Sequence, residues 1–410
     1  MHYQHIKISL SAPLFIKAAA GFLVFSIIPA TAGGQDPSNP STMVQNIDAI
    51  FAPLITPHSP GVAVLVVKDG KKPFGRGYGL RDLHSAAKID PRTNFRLASC
   101  SKQFTAMAIM LLVHDGKLRY DQRLTDVFPD FPAYGRAISI RNLLNHTAGL
   151  QDYETLMEQP GTKGQWTGDH QIQDAEVITL LKQTDHGMFP PGTQWYYSNS
   201  GYVVLGLIVA KVSGQPFPEF LRQRIFAPLK MDHTVAYVKG KNEITNRAYG
   251  HTKEGNTWKQ TDQSSTSATL GDGGIYSSLE GLAKWDEALR TNKLLSQEEM
   301  QPSLTPVTLP PTSANGDTQP RWPANSDRPE GTPVSYGFGW FLDPYRGHPR
   351  MWHYGETMGF HSYIVRFDAR KPAAAPAVND RLASITIIVL CNRTDISPES
   401  VALQIANLLL

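Results

Sequence analysis

Hydrophobic and polar positions divide the chain into stretches of different period. Near the start, Val62–Val67 is a β-rich run, and Asp69-Gly70 breaks it before Phe74–Leu80. Asp-Gly supplies the positive φ of a tight turn, so the pattern predicts a hairpin. A second strand group, Arg350–Tyr354, Phe360–Phe367 and Ser384–Leu390, lies near the C-terminus. A helix from about Pro398 to Leu410 follows it.

Between these ends the spacing turns helical. Gln103–His114 is apolar nearly all round, as in a helix buried on every side, and Gly116 is placed to end it. Ala175–Lys182, Tyr202–Val212 and Leu279–Arg290 also carry helical spacing, the last opened by a capping box of Ser277 and Glu280. Residues 301–333 are rich in proline and turn formers and read as a long surface loop or lid. Strands at both ends with helices inserted between them predict an α+β fold. It has one largely antiparallel sheet built from distant segments and flanked by helices, and a helical subdomain inserted at about 120–280.

Composition narrows the class without naming a function. With 41% hydrophobic and 18% charged positions, the chain is neither collagenous, coiled-coil nor wholly disordered. Its net charge of +3 is not concentrated in any basic stretch, which argues against a nucleic-acid partner. Two cysteines, Cys100 and Cys391, make no disulfide framework, although one bond between them is open, and no Cys/His spacing calls for a metal.

Residues 1–32 read as a targeting segment. Lys7 and Lys17 precede the apolar run Ala18–Ile28, and Ala30-Thr31-Ala32 supplies small residues for cleavage. The run is too short for a bilayer span of about 20 residues, so cleavage and export to a periplasm or the outside are expected, with a short anchor as the alternative. A flexible lead, 33–42, then precedes a domain from 43 to 410.

The candidate chemistry starts at Ser99-Cys100-Ser101-Lys102. Three residues along a helix return to one face, so the Ser99 hydroxyl and Lys102 amine can meet, at a helix N-terminus that favours developing negative charge. Burial would weaken Lys102's hold on its proton, as a base at neutral pH requires. With 27 Ser and 19 Lys in the chain, about one Ser-x-x-Lys is expected by chance, and Ser85-Ala86-Ala87-Lys88 in polar loop sequence is such a decoy. Two further motifs change the odds. Tyr197-Ser198-Asn199 offers a proton-relaying hydroxyl and a carbonyl-binding amide. His353-Tyr354-Gly355 lies on a predicted strand, where Gly355 lets a substrate backbone approach.

In this order the three motifs resemble the serine β-lactamase and penicillin-binding-protein superfamily. Tyr-x-Asn stands in the second position as in class C β-lactamases, and His-x-Gly in the third as in some D-alanyl-D-alanine carboxypeptidases and D-aminopeptidases. Leu143–Leu150, Pro191-Gly192, Gly273-Gly274 and Tyr336–Trp340 resemble further family landmarks, so the likeness spans roughly 45 to 405. It implies that Ser99 is the acylated nucleophile, Lys102 its base and Tyr197 a second proton-transfer group. Asn199, His353 and Gly355 would contact substrate, and the backbone N–H groups of Ser99 and Glu356 would form an oxyanion hole. The family's chemistry needs no metal or organic cofactor.

Histidine at 353 and tyrosine at 354 depart from the lactamase pattern of lysine and a small hydroxyl residue. They favour an exported peptidase acting on D-amino-acid substrates, or a small-acyl esterase, over a β-lactamase. A peptidoglycan-fragment-binding pseudoenzyme is the non-enzymatic alternative. His146 reads as structural. Cys100, turned about 100° from Ser99 on a helix, reads as core.

Overall fold

The structure, a computed structural model, describes residues 40–311, 318–324, 326, 328–367 and 384–410. The targeting segment 1–32 and most of the lead lie outside these residues. The end of the lead is helical, because α1 (Pro40–Phe51) begins at Pro40.

Five strands make the central sheet: β1 (Val62–Lys68), β2 (Phe74–Tyr78), β3 (Arg350–Thr357), β4 (Phe360–Phe367) and β5 (Ile385–Cys391). Their order is β3-β4-β5-β1-β2, and every neighbouring pair is antiparallel. Both chain ends therefore build one sheet, with β1 paired to β5 from Val62 opposite Cys391 to Lys68 opposite Ile385. At the β1–β2 turn, Asp69 and Gly70 both take positive φ (54° and 63°), as their sequence predicts. The predicted strand Phe74–Leu80 divides at Gly79, whose φ of 79° turns the chain into a separate short strand, Leu80–Asp82.

The alternation of side chains explains why these strands read as unbroken apolar runs. In β1, Ala63, Leu65 and Val67 join the core cluster on one face, and Val62, Val64 and Val66 join the cluster on the other. Full burial of each valine or leucine among them contributes about 1.5–3 kcal/mol. The second face is covered by α1 and by the C-terminal helix, whose residues Ile47, Phe51, Val401 and Ile405 lie in the same cluster. The first face packs on the inserted segment, led by α2 (Lys102–His114), which is buried from Lys102 to Leu112. Gly116 ends α2 with a φ of 68°, and the Lys117 amide donates to the Leu112 carbonyl.

The remaining helices used below are α3 (Tyr153–Met157), α4 (Asp174–Lys182), α5 (Asn199–Ser213), α6 (Leu279–Arg290) and α7 (Pro398–Leu409). Two local expectations need correction. The α6 cap is Ser278, whose hydroxyl accepts from the Gly281 amide, while Ser277 lies on a short strand and bonds Thr234 instead. The described part of 301–333 is more than a surface loop: it opens with a 3₁₀ turn, Gln301–Leu304, and buries Trp322 edge-on against Trp195 at 5.0 Å. Cys100 and Cys391 are both free, buried thiols, so the open disulfide is not made. Ser85, in the decoy motif, sits in a surface hairpin and donates to Asp82 at 2.6 Å.

Candidate active site

Ser99 lies in a 3₁₀ turn, Ala98–Ser101, that feeds directly into α2. It is the one residue between Thr93 and Leu112 that is not buried, so its hydroxyl is offered at a surface by a segment otherwise locked in the core. Ala98 just before it is held at φ 48°, a left-handed conformation that costs a β-carbon residue about 1–3 kcal/mol. The turn is fixed on both sides. The Leu97 amide donates to Ile275 O at 2.9 Å, and the Ser101 hydroxyl accepts from the Ile275 amide at 3.1 Å.

Lys102 is fully buried and donates three hydrogen bonds: to Ser99 Oγ at 3.0 Å, Asn199 Oδ1 at 2.8 Å and the Asp272 carbonyl at 3.0 Å. Loss of hydration lowers its pKa to about 8, against the opposing charges of Asp272 and Glu154. In the neutral amine the 3.0 Å contact reverses, and Ser99 donates into the nitrogen lone pair.

Tyr197 comes from the extended segment before α5. Its ring lies 4.4 Å from that of His146 and 4.9 Å from Lys102 Nζ. Its hydroxyl is buried and has no hydrogen-bond partner among the described residues. Burial holds its pKa well above the ordinary value, the nearby Tyr354 adds to this, and the Ser99 hydroxyl beside it acts the other way. His146, predicted to be structural, accepts at Nδ1 from the Ser198 amide at 3.1 Å and so fixes the segment that carries Tyr197. Asn199 opens α5 with both ends of its amide occupied. Oδ1 serves Lys102, and Nδ2 donates to Glu154 Oε1 at 3.3 Å.

Two expectations on the third motif change. His353 is fully buried, with Nδ1 2.6 Å from the carbonyl oxygen of the next residue, Tyr354, and Nε2 3.2 Å from the Tyr336 hydroxyl. Burial pushes its pKa down to about 3, so at neutral pH it is an uncharged wall behind Tyr197 rather than a substrate contact. Gly355 does permit a close approach, but of the nucleophile's own turn. A Cβ there would stand 2.2 Å from Leu97 O and 3.1 Å from Ser99 N. Glu356, one residue on, is exposed on β3, the edge strand. Beside it opens a cavity of about 390 Å³, lined among others by Tyr354, Glu356, His361 and Arg328.

Sequence reasoning missed two carboxylates near Lys102, those of Glu154 and Asp272. Glu154, exposed at the start of α3 and bonded by Asn199 Nδ2, has its pKa raised to about 7 by lost hydration and by the charges of Asp152 and Asp272. Asp272, buried, accepts from the Tyr153 hydroxyl at 3.1 Å. Neither belongs to one of the three motifs. Their only sequence signal was position, just after Leu143–Leu150 and just before Gly273-Gly274. No cluster of metal-binding side chains occurs among the described residues.

The geometry can be set beside known proteins. The profile of the Beta-lactamase family matches residues 47–409. Penicillin-binding protein 4* of Bacillus subtilis (strain 168) is 28% identical over 342 residues, covering 80% of this chain and 70% of that protein. Two solved structures share the fold. The octameric penicillin-binding protein homologue from Pyrococcus abyssi has a TM-score of 0.68 at 24% identity, over 90% of this chain and 77% of that one. D-amino acid amidase from Ochrobactrum anthropi SV3 has a TM-score of 0.69 at 23% identity, over 90% and 98%.

Proposed function

The chain belongs to the Beta-lactamase family, and from that premise we propose that it is an exported serine hydrolase that forms an acyl-enzyme on Ser99 and cleaves amides or short peptides of D-amino acids, with small-acyl esters as secondary substrates. The observation that carries the reading is the 3.0 Å contact between a fully buried Lys102 and the partly exposed Ser99 hydroxyl.

In this mechanism Ser99 Oγ attacks the substrate carbonyl as its proton passes to Lys102 nitrogen. The developing oxyanion takes hydrogen bonds from the backbone N–H groups of Ser99 and Glu356. As the C–N bond breaks, the proton on Lys102 reaches the leaving amine through the Tyr197 hydroxyl. Water then repeats the sequence on the ester, giving up a proton to the same pair and releasing Ser99 and a carboxylic acid. Asn199 holds Lys102 in register and lines the acyl side of the cleft.

The Glu154 carboxylate, bonded by Asn199 Nδ2, offers a partner to a substrate with a free ammonium. A neutral, enclosed His353 leaves the third motif without a cation for the carboxylate of a β-lactam. A D-amino acid amidase is among the proteins that share this fold, which makes D-amino acid amides the first substrates to try. The domain would start near residue 43, after cleavage of 1–32 and a short lead.

The test is a panel of D- and L-phenylalanine amide, p-nitrophenyl butyrate and nitrocefin, with wild type and Ser99→Ala. The D-amide should be preferred to the L-amide, nitrocefin should turn over poorly, and Ser99→Ala should be inactive. A strong preference for nitrocefin would replace the reading with a β-lactamase. Fractionation with N-terminal sequencing tests export, which predicts a secreted or periplasmic chain beginning near Gly33.

A further inference from the structure

Lys102 is placed between two kinds of neighbour. Ser99 and Asn199 belong to the motifs, but its third bond goes to the backbone carbonyl of Asp272, 170 positions away. The Asp272 side chain is as closely held as its backbone. Oδ2 accepts from the buried Tyr153 hydroxyl, which also lies 3.4 Å from Thr269 Oγ1, while Oδ1 is buried with no partner among the described residues. The acyl-transfer steps use neither oxygen. A carboxylate kept in the interior with one oxygen unpaired is costly, and the site retains it next to the one lysine buried among the described residues.

We propose that Asp272 is a positioning residue for Lys102: its carbonyl fixes the amine beside Ser99, and its carboxylate is held in the interior behind that contact, on the Tyr153 hydroxyl. This rests on the reading of Lys102 as the base. The groups facing Lys102 from every side are consistent with it. Asp152 and Glu154, at the start of α3, act on Lys102 in the same direction as Asp272, and burial raises the pKa of both. His146 and His353 are buried, with pKa values lowered by lost hydration and further by the charge on Lys102. Tyr197 and Tyr202 present ring faces to Nζ at 4.9 and 5.5 Å, and Cys100 is a buried thiol whose pKa burial raises. Among the acidic groups, Asp272 has the largest effect in holding Lys102 protonated, against the stronger opposing effect of burial.

Asp272 thus works against the lowering that burial produces. Without it, the lysine would lose its proton at lower pH. Removal of its charge therefore has an outcome that a purely structural residue would not give: the low-pH limb of activity improves relative to the plateau, even where the plateau itself falls.

The test compares pH profiles of kcat/KM for wild type, Asp272→Asn and Asp272→Glu. The acid limb of Asp272→Asn should lie about 1 pH unit below that of wild type, and Asp272→Glu should restore it towards the wild-type position. Asp272→Ser, also uncharged, gives the same reading should the asparagine variant fail to fold. An acid limb unmoved or moved upward in the neutral variants would overturn the proposal while leaving the acyl-transfer reading intact. Absence of Ser99-dependent turnover in wild type would overturn both.

Discussion

Gly355 and Leu97 are in backbone contact: a Cβ on Gly355 would lie 2.2 Å from the Leu97 carbonyl oxygen. Neither atom can yield without moving β3 or the turn that presents Ser99. Gly355→Ala should therefore lower kcat/KM by about 10²-fold or more, since small displacements of positioned groups cost that much. Steady-state kinetics would check this, with circular dichroism showing that the sheet persists.

The pH dependence follows from Lys102. Its pKa is lowered to about 8 by burial, and only the neutral amine accepts the Ser99 proton. The kcat/KM of wild type should then rise with pH through about 8 and level off above it. Lys102→Arg, which keeps a charge that cannot be lost, should cost about 10²–10⁴-fold at every accessible pH.

Tyr197 predicts opposite effects on activity and stability. Its buried hydroxyl has no partner among the described residues, and burying such a group costs about 1–3 kcal/mol. Tyr197→Phe should leave the melting temperature unchanged or raise it, while kcat/KM falls about 10²–10⁴-fold. Calorimetry and kinetics on the same preparation separate the two.

Asp286 predicts the reverse. Its Oδ1 accepts from Arg366 Nε at 2.8 Å and from Thr386 Oγ1 at 2.6 Å, and both members of the ion pair are 5% exposed. Asp286→Ala leaves a buried guanidinium without its carboxylate and should cost about 3–5 kcal/mol. Denaturant titration measures the loss. Active-site titration should show unchanged turnover per folded molecule.

Acid lability has two named contributors. His353 is neutral when folded, with a pKa pushed down to about 3 from the usual 6.5, and burial lowers His146 in the same direction. Between those values the unfolded chain binds more protons, so stability is present above about pH 6.5 and is lost as pH falls towards 3. Each histidine contributes a slope of at most about 1.4 kcal/mol per pH unit. Urea unfolding at several pH values should show that slope reduced in His353→Gln.

The sequence made legible whatever depends on local spacing or on strand composition. Val62–Val67 and the C-terminal strands announced the sheet, and Ser99 with Lys102 announced a shared helix face. Relationships between distant segments were not legible. Gly355 was read as a place where a substrate backbone approaches, whereas the group packed against it is Leu97's turn, from a segment 258 positions away. His353 looked like a ligand contact because its motif is short and polar. It is buried because Tyr336 and Phe341, from the segment before β3, close over its ring, with the Tyr336 hydroxyl at 3.2 Å from Nε2 and the Phe341 ring at 5.3 Å. Asp272 carried no periodicity or motif of its own, and its role exists only where the fold sets it against Lys102.

Intact-mass analysis of rapidly quenched wild type and Ser99→Ala with p-nitrophenyl butyrate tests the central claim most directly. Wild type should gain one butyryl group that peptide mapping places on Ser99, and the variant should gain none. Continued turnover with the label on another residue, or an equally labelled variant, would contradict the assignment of Ser99 as the nucleophile.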